Sequence, residues 1–279
     1  MTVLRLMHPP YPNRFLAHMR EGRTEHLYSI GNHATPRQVD FVCNTALFDT
    51  LWFDLEHFDI PVGDLAVLNM VTRAYPVTTL ARMRAADYKS VMQVLESGVG
   101  GIICSMVDSP EEAMEIVRWA RFNNPNPDTG ETTGQRGWNA GGVDGRYGNL
   151  PAAEYVAHQN RETALLCQIE TEAAMAHLDD IVAVKGVDGI FFGPGDYAHR
   201  IGRLGQIAHD EVLEAMKKVA RACERYGKFW GTLGIGREMY LKVRALGARF
   251  ISSGSDVRVM NLGMRELAKT FQPEVPDRS

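Results

Sequence analysis

Two rhythms of apolar and polar residues alternate along the chain. Short runs rich in β-branched and other apolar residues recur at Leu27–Asn32, Thr50–Glu56, Thr78–Met83, Gly101–Val107, Ala164–Glu170, Gly189–Gly193, Phe229–Leu233 and Arg249–Gly254. Each has the length of a strand. Between them apolar residues return at three- and four-residue spacing, as in Glu111–Phe122, Glu172–Val184, His209–Tyr226 and Arg237–Leu246, which predicts helices. Ser109-Pro110-Glu111-Glu112 is a helix start, with Ser as N-cap, Pro in the first turn and Glu at the reciprocal capping position. Repeated strand–helix alternation implies parallel strands, and eight of them in about 250 residues favour a closed α/β barrel of the TIM (β/α)8 type. A doubly wound open sheet is the competing architecture. It calls for a Gly-rich turn after the first strand, and Asn32-His33-Ala34-Thr35 is not one.

Two regions break the repeat. Residues 1–26 read as a helical arm with Phe15, Leu16 and Met19 on its apolar side; the barrel would then span 27–271 and a tail 272–279. Residues 123–149 carry Gly134, Gly137, Gly141, Gly142, Gly145 and Gly148 among Arg136, Trp138 and Tyr147. A stretch of that length without periodicity suits a lid, a binding loop or a subunit contact, and its aromatic and arginine content speaks against a plain linker.

Composition narrows the function classes. With 30 basic against 34 acidic residues the net charge is −4, which gives no reason to expect nucleic acid or an acidic membrane surface. The longest apolar runs are strand-sized, and Met1 to Tyr11 lacks the apolar stretch of a signal peptide. Cys43, Cys104, Cys167 and Cys223 lie far apart in apolar segments, so they read as reduced packing residues, consistent with a cytoplasmic protein.

In such barrels the reacting groups stand where strands end. The second strand ends Phe53-Asp54-Leu55-Glu56-His57, the third carries Arg82, the fifth ends Gln168-Ile169-Glu170, and the sixth Phe192-Gly193-Pro194-Gly195-Asp196. Alternation puts Gln168 and Glu170 on one side of their strand. If that side faces the axis, Glu170 meets Asp196 at the rim, and two close carboxylates need a proton or a cation between them. Hard oxygen donors suit Mg²⁺ or Mn²⁺, with Co²⁺ a further option. Spacing alone leaves a second possibility open, in which Glu170 caps a loop and Asp196 only starts a helix. His57 beside Asp54 and Glu56 is a candidate proton-transfer unit, and a structural histidine is the plainer alternative. Arg82 would stabilise negative charge on oxygen or simply bridge to Asp54 or Glu56. Gly193-Pro194-Gly195-Asp196 offers backbone N–H groups at a helix start, a cradle for a carboxylate or an ordinary tight turn. No lysine falls at a predicted C-terminal strand end, which argues against imine chemistry.

Asp54-Leu55-Glu56-His57, Arg82, Gln168-Ile169-Glu170-Thr171 and Gly186-Val187-Asp188-Gly189 with Gly193-Pro194-Gly195-Asp196 resemble the HpcH/HpaI aldolases, in order, from about residue 15 to 271. The resemblance implies a metal-dependent aldolase cleaving a 4-hydroxy-2-oxo acid to pyruvate, or a close 2-oxo acid, plus an aldehyde. It further implies Glu170 and Asp196 as metal ligands, the N–H groups of Gly195 and Asp196 on the substrate carboxylate, and Gln168 lining the site. Arg82 would face the enolate oxygen, and His57, oriented by Asp54, would do acid–base work. A hexamer of dimers with exchanged C-terminal helices is also implied, making Asp256–Phe271 an intersubunit element. Met83-Arg84, Tyr197-Ala198-His199-Arg200 and the long 123–149 loop depart from the usual pattern, all toward the aldehyde end. Two alternatives remain: a citrate- or malyl-thioester-type lyase, and a barrel that binds a 2-oxo acid without catalysis.

Overall fold

The structure is a computed structural model that describes residues 11–123 and 134–271. The eight strands are β1 (Glu25–Ile30), β2 (Thr50–Asp54), β3 (Thr78–Met83), β4 (Gly101–Cys104), β5 (Ala164–Ile169), β6 (Gly189–Phe192), β7 (Phe229–Leu233) and β8 (Phe250–Ser255). All neighbours pair in parallel, and β8 returns to β1 to close the barrel. Helix α1 (Arg14–Arg20) precedes β1; α2 (Pro36–Asn44), α3 (Val62–Thr72), α4 (Tyr88–Glu96) and α5 (Pro110–Ala120) follow the first four strands. α6 (Ala152–Glu162) leads into β5, and α7 (Glu172–Ala176) with α8 (Leu178–Ala183) follow it. α9 (Pro194–Arg200) and α10 (Asp210–Arg225) follow β6, α11 (Gly236–Ala245) follows β7 and α12 (Asp256–Ala268) follows β8.

Two-residue alternation sorts the strands' side chains into two cores. Leu27, Trp52, Leu80, Ile103, Leu166, Phe191 and Phe250 fill the barrel interior. Their neighbours Tyr28, Leu51, Phe53, Ala81, Ile102, Leu165, Cys167 and Ile190 face the helices. The same parity that sends Trp52, Leu80 and Leu166 inward carries Asp54, Arg82 and Gln168 inward, one layer nearer the C-terminal rim.

The arm is part of the barrel's plug. Phe15, Leu16 and Met19 of α1 join the interior cluster, and Phe15 stands edge-on to Phe229 (centroids 5.8 Å apart) and Phe250 (5.4 Å). The Asn13 side chain caps α1 and donates 2.6 Å bonds to the carbonyls of Gly100 and Glu162, fixing the helix under the strand starts.

Several boundaries differ from the sequence reading. β1 begins at Glu25, inside the expected arm, because Glu25 pairs in register with Phe250 of β8. The helix expected over Glu172–Val184 is broken at His177 into α7 and α8. Of the irregular 123–149 region, residues 134–149 lie along α3 and α4. The Gly137 amide donates to Tyr88 Oη at 2.7 Å, and Arg73 Nη2 donates to the Val143 carbonyl at 2.9 Å. A buried Arg136–Asp144 pair (2.8 Å) holds this segment, with the Tyr155 hydroxyl also donating to Asp144 at 2.7 Å. Residues 124–133 of that region and the expected tail 272–279 lie outside the described residues. All four cysteines are buried and free, and no helix among the described residues is long and apolar enough to cross a membrane.

Candidate active site

The β2–β3 register places Asp54 directly opposite Arg82. Their side chains form a two-pronged ion pair: Arg82 Nε donates to Asp54 Oδ1 at 3.0 Å and Nη2 to Oδ2 at 2.6 Å. Glu56 Oε2 approaches Arg82 Nε at 3.3 Å, and the guanidinium lies 4.8 Å over the Trp52 ring. An arginine held by two carboxylates and an aromatic floor is fixed in direction, so little reorganisation is needed when charge develops near it. Its Nη1 has no protein partner among the described residues, which leaves donors for a ligand.

Glu170 follows the last residue of β5 and is 1% exposed. Its Oε1 accepts the Met106 amide at 2.9 Å and its Oε2 accepts Gln168 Nε2 at 2.5 Å. Burial pushes this carboxyl up to about 7 against the lowering effect of those two bonds, and the charges of Glu56 and Asp196 push the same way. Three carboxylates therefore share one neighbourhood. Gln168 Oε1 is a buried acceptor without a hydrogen-bond donor among the described residues, and Glu56 Oε2 has the Arg82 charge beside it but no hydrogen bond. Oxygen donors, surplus negative charge and unfilled buried acceptors together fit a hard divalent cation. Glu170 and Asp196 are the residues that could hold it.

Close approach explains a glycine here. A Cβ at Gly193 would stand 2.5 Å from Glu170 Oε2 and 2.9 Å from Glu170 Cβ, so only glycine lets β6 end against the Glu170 side chain. Pro194, Gly195 and Asp196 then form the first turn of α9, with Gly195 and Asp196 exposed at the rim.

One expectation is corrected. Asp54 does not orient His57: both its oxygens are taken by Arg82, and Oδ1 also accepts the Glu56 amide at 3.2 Å. The carboxylate beside His57 is Glu56, with Nε2 to Oε2 at 3.9 Å, and His57 itself is exposed. Glu56 is thus the residue linking Arg82, His57 and the charge at Glu170. Met106 went unread altogether. It adopts φ 56°, a left-handed conformation costly for a residue with a Cβ, and so turns its amide toward Glu170. Nothing in Ser105-Met106-Val107 signals that backbone.

A further group, His18, Glu25 and Asp49, has ligand atoms within 4.8 Å of one another. It sits at the strand starts, at the other end of the barrel, where Glu25 is already bonded to His18 and to Thr50 Oγ1 (2.6 Å). It is separate from the rim carboxylates.

The pattern of the HpcH/HpaI aldolase/citrate lyase family matches residues 28–261. The chain belongs to that family. A hydroxypyruvate/pyruvate aldolase from Deinococcus radiodurans is 32% identical over 232 residues, 83% of this chain and 80% of that protein. A 5-keto-4-deoxy-D-glucarate aldolase from Klebsiella pneumoniae subsp. pneumoniae is 28% identical over 265 residues, 94% of this chain and 98% of that protein. Among solved structures, an HpcH/HpaI aldolase from Desulfitobacterium hafniense superposes with a TM-score of 0.83 at 27% identity, covering 95% of this chain and 98% of its own. The closed eight-stranded barrel and the carbon–carbon lyase class read from the sequence are both borne out, and the chain is an enzyme of the aldolase type.

Proposed function

We propose that this aldolase depends on a divalent cation, Mg²⁺ or Mn²⁺, held by Glu170 and Asp196. Its reaction is cleavage of a 4-hydroxy-2-oxo acid to pyruvate, or a close 2-oxo acid, plus an aldehyde. The observation that carries the reading is the buried Glu170 carboxylate, raised to about 7 chiefly by burial and further by the charges of Glu56 and Asp196, within a site that also holds a rigid arginine. The names of the relatives, which include a hydroxypyruvate/pyruvate aldolase, support the 2-oxo acid half.

When bound, the cation supplies Lewis-acid stabilisation of negative charge on the 2-oxo group. The chain's own residues do the rest. The C4 hydroxyl loses its proton, the C3–C4 bond breaks, and its electron pair moves into C2–C3 to give an enolate as the aldehyde departs. A proton then returns to C3. Arg82, locked by Asp54 and Trp52, donates hydrogen bonds to the developing oxyanion. His57 with Glu56 takes and returns the proton, its exposure keeping it open to solvent exchange. Gln168 fixes Glu170 from within the barrel, and the amides of Gly195 and Asp196 at the start of α9 receive the substrate carboxylate.

The assembly is a homo-oligomer in this reading. α12 carries Val259, Met260, Leu262, Met264 and Leu267 exposed, and Asp256 alone is buried, the kind of apolar face that marks a contact surface. Exchange of this helix between two copies would cover it; the exposed Trp138 and Tyr147 offer a second contact.

The test is steady-state cleavage of a panel of 4-hydroxy-2-oxo acids, with 2-oxo acid release followed before and after EDTA treatment. Release restored by Mg²⁺ or Mn²⁺ is expected. Full activity in the chelated protein would rule the cation out.

A further inference from the structure

We infer that Arg84 and Arg200 form a subsite for a negatively charged group at the far end of the aldehyde component. The inference rests on the aldolase reading and adds the class of its second substrate. Both arginines converge on Met106. Arg84, one residue past β3, donates through Nη1 to the Met106 carbonyl. Arg200, at the end of α9, places Nη2 3.4 Å from Met106 Sδ. The amide of the same Met106 is 2.9 Å from Glu170 Oε1. One residue thus separates both guanidinium groups from the carboxylate at the centre of the site, a span on the order of 10 Å.

Their charges are largely unspent. Arg84 is about half exposed and has one ion-pair partner among the described residues, Glu112 at 3.7 Å, which also accepts the Asp108 amide through its other oxygen at 2.8 Å. Arg200 is exposed and makes no ion pair among the described residues. Asp196 lies one helical turn before Arg200, on the same side of α9, and is reserved for the cation. Two arginines beside an acidic centre divide the rim by charge: negative at Glu170, Glu56 and Asp196, positive beyond Met106. A 2-oxo acid bound at the carboxylate end would direct its new carbon–carbon bond outward, so an anion carried by the aldehyde meets the arginines. Guanidinium forks suit a carboxylate or a phosphate alike.

Matched aldehydes read the charge directly. In the condensation direction, with pyruvate and Mn²⁺, kcat/KM is measured for butanal against 4-oxobutanoate and for glyceraldehyde against glyceraldehyde 3-phosphate. The anionic member of at least one pair is expected to be preferred, and which pair shows it tells carboxylate from phosphate. Arg200→Gln, which removes only a contact to sulfur, should lower that preference about tenfold. The loss should fall on KM for the anionic aldehyde, and added NaCl should erode the wild-type preference in parallel. Arg84→Gln also loosens Met106, so only the ratio within a pair is informative for it. Equal use of both members of each pair, or a preference insensitive to Arg200→Gln and to salt, overturns the subsite and leaves the aldolase intact. No condensation with any of the four overturns the aldolase reading itself.

Discussion

Gly193→Ala probes the contact on which the rim is built. Gly193 has φ −88° and ψ 87°, open to any L-residue, so the substitution tests space and not backbone freedom. The added Cβ would lie 2.9 Å from Glu170 Cβ, 2.5 Å from its Oε2 and 3.3 Å from Gln168 Nε2. Carbon–carbon contacts settle near 3.5–4.0 Å, so the Glu170 Cβ must retreat by roughly 0.6–1 Å. It cannot swing away, because Met106 and Gln168 hold its two oxygens. Overpacking of this kind costs about 1–3 kcal/mol of stability, a few degrees in Tm. A ligand carboxylate displaced by about 1 Å should cost on the order of 100-fold in kcat. The assay is kcat for retro-aldol cleavage alongside Mn²⁺ titration and a thermal melt. Gly63→Ala is the control, since a Cβ there meets nothing within 4 Å. If Gly193→Ala keeps wild-type kcat and Mn²⁺ affinity while Gly63→Ala behaves normally, Glu170 is not placed by that contact and the reasoning fails.

Two further perturbations separate chemistry from scaffolding. Arg82→Lys cannot keep both Asp54 bonds or the Trp52 stack, so kcat should fall about 100- to 1000-fold with Mn²⁺ affinity within a few-fold of wild type. Single-turnover cleavage and Mn²⁺ titration check the split, and an active Arg82→Lys would remove the guanidinium from the mechanism. Arg136→Met leaves Asp144 buried without its cation, and should destabilise the fold by about 3–5 kcal/mol. Urea unfolding measures this; an unchanged midpoint would show that the 134–149 segment is not held by that pair.

Much of the barrel was legible because its signals are local. Period-two alternation brought Gln168 and Glu170 to one side of β5, and the structure shows the same rule in β2, where Trp52 faces the interior and Leu51 and Phe53 face the helices. The apolar face of the arm, Phe15, Leu16 and Met19, announced a buried helix, although only the fold reveals that it closes the barrel floor. What escaped depends on contacts distant in sequence. Glu25 belongs to β1 because β8 pairs with it, more than 220 positions away. Asp54 was expected from the resemblance to orient His57, yet register with β3 gives it to Arg82, a bridge the sequence had left open, and Glu56 stands beside His57 instead. Met106 serves Glu170 through a left-handed backbone that its side-chain type does not encode. The Gly-Pro-Gly turn was read as an anion cradle or an ordinary tight turn, and its first glycine also answers to the Glu170 side chain at the end of the neighbouring strand.

The most direct test of the account is proton exchange at the methyl group of pyruvate, followed by ¹H NMR in D₂O with the purified protein and Mg²⁺. Loss of the methyl signal needs only enolate formation, with no assumption about the aldehyde. The account predicts exchange that stops on adding EDTA, returns with excess Mg²⁺, and is absent in a folded Glu170→Gln variant. Exchange that continues in EDTA, or survives Glu170→Gln, would contradict it.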